Sequence, residues 1–355
     1  MPGKKIAKKR PALHVLTVLS LLGASVCLTL ELRTDDRANS PAVQRVTDEP
    51  PLENGARYTR ARTWERLRNP DRTVLRDSKG QLLATFTDGA RTAVLQGMSR
   101  TFAEPSHTTS RVVTDDWVRL MPEAWRKGAE TQQWFTDWFK RYYGSEEDDI
   151  LAIAFQYVHG APLKRDDEGI TYAGDAGYGP YKSNGVDRFE QSDFYEYLGI
   201  PYTFRDGTTL QPRRSRYRDM DCSGFMRMVW GYRARYPLRA TNTSGDGMPR
   251  TADGMARSDF GVDIIKLRGP SPWYTRPGNI AAIQPGDLLF FKVDRRTGNH
   301  IDHVALYLGV DTEGHRMFIS SRKRLNGPTI GDEGGTSRID GNGFYAELFR
   351  SAKRI

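Results

Sequence analysis

The residue with the clearest chemical potential in this sequence is a cysteine. The chain contains two cysteines, and Cys222 is the one outside the apolar N-terminal segment. It stands in an Asp-Cys-Ser-Gly-Phe run, where apolar residues begin to recur as on the packed face of a helix. A thiol in the first turn of a helix lies near unpaired backbone N–H groups, which favour its thiolate form. The sequence therefore predicts that Cys222 is a nucleophile, with an inert buried thiol as the alternative.

A histidine that could activate this thiol lies further along the chain. A Pro-Gly-Asp turn at 285–287 leads into one predicted strand, and residues 303–309 form a second with His303 at its head. His303 would accept the proton of the thiol as general base and return it to a leaving amine as general acid. His300 and His315 are interpreted as ordinary surface histidines.

Four segments of different composition surround these residues. Residues 1–32 carry five basic side chains followed by an apolar run, which predicts a signal peptide or a membrane anchor that places the rest of the chain outside the cytoplasm. Residues 33–57 are polar and rich in proline and predict a flexible linker. Residues 58–144 predict a small α+β domain, and residues 145–355 the catalytic domain.

Strands and helices can be predicted in both halves. Short apolar runs at 74–75, 82–86 and 92–95 predict strands, and residues 150–158 and 188–198 predict helices. An aromatic stripe at helical spacing predicts core packing on those strands rather than a sugar-binding platform. The stripe consists of Trp134, Phe135, Trp138, Phe139 and Tyr142.

Composition limits the possible partners. The 38% hydrophobic and 27% charged content is typical of a globular protein. The net charge is +9, and five of the basic residues lie in the first ten positions, so the remainder is only mildly cationic. This charge suits an anionic wall or membrane surface and is too weak to indicate nucleic-acid binding. We expect a monomer.

Several segments in the same order resemble the signature of NlpC-type cell-wall cysteine peptidases. They are Gly-Ile-Pro-Tyr at 199–202, Asp-Cys-Ser-Gly-Phe at 221–225, Pro-Gly-Asp-Leu at 285–288, His-Val-Ala-Leu-Tyr-Leu-Gly at 303–309 and Phe-Arg-Ser-Ala-Lys-Arg at 349–354. The resemblance implies a papain-like α+β domain with an antiparallel sheet and the nucleophile at the N-terminus of a helix. It also implies hydrolysis of amide bonds in peptidoglycan stem peptides, most often the γ-D-glutamyl to diamino-acid bond, without a metal or cofactor.

The resemblance covers residues 188–355 and assigns roles within them. Cys222 matches the nucleophile and His303 the base. Tyr202 matches a tyrosine near the thiol, and Asp221 and Ser223 match residues that bind the amino end of the substrate in some relatives. A helix N-cap, a helix-start hydroxyl and simple packing are the alternatives for Asp221, Ser223 and Tyr202 in turn.

The chain departs from the family pattern on the strand after His303. A His, Asn or Gln usually stands there to orient the imidazole, whereas this sequence aligns Ser320. A slip of one residue in register would put Ser321 there instead, and Asn326 is a further candidate. The departure keeps two rival functions open: an amidase or acyltransferase of the same fold acting on another amide, and a wall-binding module whose site has decayed.

Overall fold

The computed structural model describes residues 43–45, 62–243 and 245–355. The predicted signal or anchor segment, residues 1–32, lies outside this range, as does most of the predicted linker. Within the predicted linker, Val43–Arg45 forms a strand, which differs from the prediction that residues 33–57 are flexible throughout. Its three residues pair with the far half of a long strand, where backbone hydrogen-bonding groups are open at the edge. In the part of the chain that the structure describes, none of the helices has the length and hydrophobicity of a transmembrane span.

An antiparallel sheet forms the N-terminal part of the described chain. Its strands are β1 (Val43–Arg45), β2 (Thr63–Leu67), β3 (Arg72–Arg76), β4 (Leu82–Thr87), β5 (Thr92–Ala103) and β6 (Arg111–Leu120). The order is β1-β5-β4-β3-β2, and β6 pairs along the other edge of β5. The three strands predicted from apolar runs are confirmed.

The aromatic stripe lies on the helix α1 (Gln133–Tyr142) and packs against this sheet. Phe135, Trp138 and Phe139 are buried, and the ring of Phe135 lies 5.3 Å from that of Phe86 in β4. Core packing is therefore confirmed for these three residues. Trp134 and Tyr142 are only partly buried at the margin of the same cluster.

The second half of the chain combines short helices with a second antiparallel sheet, so the predicted α+β class is confirmed. The helices are α2 (Ile150–Phe155), α3 (Phe194–Leu198), α4 (Cys222–Met226), α5 (Ala252–Arg257) and α6 (Phe344–Leu348). The strands are β7 (Lys164–Arg165), β8 (Thr171–Ala173), β9 (Tyr202–Thr203), β10 (Thr209–Leu210), β11 (Val262–Ile265), β12 (Leu288–Phe291), β13 (His303–Val310), β14 (Arg316–Arg322), β15 (Gly327–Thr329) and β16 (Phe349–Arg354). Six of them form the sheet β11-β16-β12-β13-β14-β15.

One hydrophobic core crosses the boundary predicted at residue 144. Phe102 and Val118 of the N-terminal sheet share it with Phe225 of α4 and Leu306 of β13. Hydrogen bonds also join the last residue to the N-terminal sheet. The Ile355 carbonyl accepts from the N–H of Thr92, the first residue of β5, and from the N–H of Arg91 before it. The described residues belong to one compact unit. The division into domains at residue 144 stays a prediction.

Candidate active site

Cys222 is the first residue of α4, as the sequence predicts. Asp221 is the N-cap, and its carboxylate accepts a hydrogen bond of 2.7 Å from the Gly224 N–H. A Cβ atom on Gly224 would lie 2.3 Å from the Ser192 carbonyl oxygen, so only glycine allows this close approach. This carbonyl belongs to the loop before α3. α4 continues into a π-helical turn, Arg227–Arg233.

His303 is the first residue of β13, which packs against α4. The backbone N–H of Val304 is close enough to Cys222 to lower the pKa of the thiol, so the thiol lies beside the residue that follows His303. The imidazole packs against two aromatic rings, with its centroid 5.4 Å from that of Tyr345 and 5.9 Å from that of Phe291. The structure therefore brings the predicted nucleophile and base to one place. Cys222 and His303 are each only 6% exposed.

The two side chains are uncharged in this arrangement. Burial, reinforced by the charge of Asp221, raises the pKa of the Cys222 thiol to about 12. Burial and the nearby cations Arg322 and Lys323 lower the pKa of His303 to about 3. The thiolate expected from the helix N-terminus is therefore wrong for this buried state, because removal from water disfavours the anion.

Asp221 and Ser223, predicted to bind the amino end of a substrate, are occupied by a cation of the protein itself. Arg250 lies 2.9 Å from the Asp221 carboxylate and donates a hydrogen bond of 2.7 Å to the Ser223 hydroxyl. Burial would raise the pKa of Asp221, but Arg250 and the hydrogen bonds from Gly224 and Ser223 bring that pKa below its usual value. Asp221 is the N-cap of α4, as its alternative interpretation has it, and the substrate-binding role of both residues stays a prediction.

The three candidates for the orienting residue have other partners. The Ser320 hydroxyl accepts a hydrogen bond of 3.1 Å from Arg322 Nε. The Ser321 hydroxyl donates to the Met220 carbonyl at 2.6 Å, and the Asn326 side chain accepts from the Tyr178 N–H at 3.1 Å. Within the described part of the chain, no residue hydrogen-bonds the His303 Nε2 atom, which is buried.

Tyr202, predicted to lie near the thiol, packs instead against Phe194 and Phe204, with ring centroids 4.7 and 4.9 Å away. Tyr178 and Tyr345 are the tyrosines near Cys222: burial raises the pKa of each phenol, and a thiolate at Cys222 would raise it further. The Gly177 carbonyl accepts the Met220 N–H at 2.7 Å, which holds Tyr178 against the start of α4. The sequence marks residues 172–185 only as a loop rich in glycine and tyrosine.

The described residues contain no cluster of three or more His, Cys, Asp or Glu side chains that could hold a metal ion. The chemistry available at the site is that of a thiol, an imidazole and backbone N–H groups. Such a set can transfer an acyl group through a thioester.

Comparisons with known proteins point to the family that the sequence motifs resemble. Residues 199–349 match the family model described as the NlpC/P60 family, so the NlpC-type resemblance is confirmed for that segment. A crystal structure from Staphylococcus aureus subsp. aureus Mu50, described as similar to lipoprotein, NLP/P60 family, has 21% sequence identity and a TM-score of 0.23. The alignment covers 52% of this chain and 45% of that chain, so this chain spans less than half of that protein. No curated protein matches the chain.

Proposed function

Since residues 199–349 are of the NlpC/P60 type, we propose that the chain is an exported cysteine peptidase that hydrolyses amide bonds in peptidoglycan stem peptides. The γ-D-glutamyl to diamino-acid bond is the first candidate. The observation that carries the proposal is the contact between α4 and β13, which places the Cys222 thiol beside Val304, the residue after His303. The basic and apolar N-terminal sequence supports export.

The reaction follows from the atoms at this contact. His303 accepts the thiol proton as the Cys222 sulfur attacks the substrate carbonyl carbon. The Gly224 N–H already donates to Asp221, so the backbone N–H groups before Gly224 in the first turn of α4 are the ones that would donate hydrogen bonds to the oxyanion. The amine leaves with the proton from His303, and water then hydrolyses the thioester with His303 again as base. Each cycle restores the thiol and the neutral imidazole.

The buried arrangement represents a resting form in this proposal. With the pKa of Cys222 near 12 and that of His303 near 3, proton transfer between them is strongly unfavourable. A substrate must displace covering side chains, and the tyrosines next to the pair, Tyr178 and Tyr345, are the first candidates. Displacement would admit water and polar substrate groups, which stabilise the thiolate and the imidazolium.

A second candidate is a wall-binding module without hydrolytic activity. The buried His303 Nε2 atom without a hydrogen-bond partner among the described residues favours it, because catalytic imidazoles are usually oriented by a polar group. An amidase or acyltransferase acting on another amide shares the chemistry of Cys222 and differs only in its substrate.

Digestion of purified cell-wall fragments tests the proposal. The parent protein and Cys222→Ala are incubated with the fragments, and new peptide termini are identified by mass spectrometry. Cys27→Ala is the matched control, since it removes the other thiol. We expect new stem-peptide termini from the parent and Cys27→Ala and none from Cys222→Ala.

Other results would support the rivals. Equal digestion by Cys222→Ala would exclude the thiol mechanism, and cleavage of non-wall amides alone would favour the amidase. For the inactive module, alkylation of Cys222 would be unchanged by His303→Ala and no substrate would be cleaved.

A further inference from the structure

The strand after His303 ends in a buried cation. Arg322 is 3% exposed, and its guanidinium carbon lies 4.5 Å from the ring centroid of Tyr345. The same ring lies 5.4 Å from the imidazole of His303. Arg322 and Ser320 are two positions apart on β14 and so share a face of the sheet, and Arg322 Nε donates to the Ser320 hydroxyl. Arg322 is thus connected to His303 through one aromatic side chain.

The guanidinium also organises the glycine-rich segment that follows β15. Arg322 Nη1 donates to the carbonyls of Gly331 and Gly335 at 3.0 and 2.7 Å, and Nη2 donates to the Ser337 hydroxyl at 2.5 Å. No carboxylate among the described residues lies within 4.0 Å of it. A buried cation held only by neutral acceptors is costly unless an anion lies in the same low-dielectric region.

The N-terminal sheet supplies such an anion. Glu104 follows β5 directly and is 1% exposed. Its Oε2 accepts hydrogen bonds from the Thr329 hydroxyl at 2.6 Å and the Ile330 N–H at 2.8 Å. Thr329 pairs with Ser320 in the β14–β15 ladder, so the carboxylate reaches the strand next to the one that carries Arg322. Its Oε1 is buried without a hydrogen-bond partner, 3.9 Å from His107 Nε2.

We propose that Glu104 and Arg322 are positioning residues for His303 and together take the place of the His, Asn or Gln for which this chain has Ser320. Arg322 fixes the Tyr345 ring against the imidazole, and Glu104 anchors the neighbouring strand and balances the buried charge. The inference rests on the proposed function, in which His303 is the base. It gives the N-terminal sheet a part in the catalytic site.

The charges around the pair give the sign of the expected effect. Besides burial, Arg322 and Lys323 lower the pKa of His303, and Asp221 raises it. Burial raises the pKa of Glu104, which His107 and Arg322 lower. Loss of a negative charge should shift the titration of the Cys222–His303 pair to lower pH, and loss of a positive charge should shift it to higher pH.

The other titratable groups near Arg322 and Cys222 are the same in every variant, so they contribute equally to each pH profile. Burial lowers the pKa of Arg322, which the charges of Tyr345, Glu104 and Asp332 raise. On the other side of the pair, Asp221, Glu190 and Arg250 act on Cys222. Opposite shifts from two substitutions therefore cannot come from a general loosening of the site.

The experiment measures the rate of Cys222 alkylation by iodoacetamide against pH, in the full chain with Cys27→Ser. Glu104→Gln should move the profile to lower pH and Arg322→Gln to higher pH, each by about half to one pH unit for a buried charge at this remove. Arg322→Lys keeps the charge and should keep the parent profile. Asp116→Asn is the matched control, because it neutralises a half-buried carboxylate whose charged neighbours lie outside the site.

Each outcome either supports or overturns the role of Glu104 and Arg322 as positioning residues. Unchanged profiles for Glu104→Gln and Arg322→Gln, or shifts in the same direction, overturn the inference. If Arg322→Gln does not fold, the contrast between Glu104→Gln and Arg322→Lys gives the same decision. Opposite shifts in a protein that cleaves no wall peptide would refute the proposed function alone. Wall cleavage without shifts would refute the inference alone.

Discussion

Removal of the Arg250 guanidinium should destabilise the start of α4. Arg250 lies 2.9 Å from the Asp221 carboxylate and 3.3 Å from that of Asp193, and its side chain is 14% exposed. Arg250→Met would keep most of the side-chain volume and remove the charge. Asp193 would retain Arg227 at 3.0 Å, so Asp221 is the carboxylate that would lose its cation.

The expected loss in the free energy of unfolding follows from the fact that only Asp221 is left without a cation. Breaking a buried ion pair by removing one partner typically costs about 3–5 kcal/mol. Asp221 would still accept N–H groups from Gly224 at 2.7 Å and Gln191 at 2.8 Å, so we expect a loss near the lower limit, about 3 kcal/mol. The uncompensated carboxylate should also raise the pKa of Cys222 further and slow its alkylation.

Urea unfolding followed by tryptophan fluorescence measures this loss, and a double-mutant cycle assigns it. Asp221→Asn keeps a good N-cap and removes the buried charge. The double variant should therefore be more stable than the sum of the two single losses predicts, by about 1–3 kcal/mol. Additive losses would refute the reasoning, since they would mean that Arg250 stabilises α4 by packing and not by pairing with Asp221.

Three further predictions concern the same site. The pKa of His303 is lowered to about 3, so between pH ~6.5 and pH ~3 the folded protein binds fewer protons than the unfolded chain. The free energy of unfolding should therefore fall as the pH drops through this range. His303→Gln should flatten this fall, as measured by urea midpoints at pH 7 and pH 4. Ser320→Ala should lower hydrolysis less than about tenfold, because Ser320 contacts Arg322 and not His303, whereas a fall of about 10⁴ would restore the orienting role. Wall peptides with an acetylated amino end should be cleaved as well as free ones, because Arg250 fills the position at Asp221 and Ser223; a strict need for a free amine, seen by mass spectrometry, would contradict this.

Much of the fold follows from local patterns in the sequence. Apolar runs bounded by turns locate β3, β4 and the start of β5, and the motif around Cys222 locates α4. The helix predicted over residues 188–198 is shorter, Phe194–Leu198, because Asp193 and Glu196 form a capping box that starts it late. That signal was present in the sequence as Asp-x-x-Glu.

The remainder depends on contacts between distant segments, which no local period encodes. Arg250 reaches back to the N-cap of α4, Tyr178 replaces Tyr202 beside the thiol, and Glu104 comes from the N-terminal sheet. Each is an ordinary polar or aromatic residue in its own segment. Only the packing of the two sheets into one core places them at the site.

The charge state of Cys222 shows why residue type and spacing do not determine reactivity. A helix N-terminus stabilises an anion by about 0.3–1 kcal/mol, and up to about 2 kcal/mol in partly buried geometries, which corresponds to a lowering of the pKa by about 1.5 units or less. Burial and Asp221 raise the pKa of the thiol from 9.0 to about 12, so desolvation outweighs the helix. A reactive thiolate therefore requires entry of water or substrate at Cys222, which the proposed function attributes to displacement of Tyr178 and Tyr345.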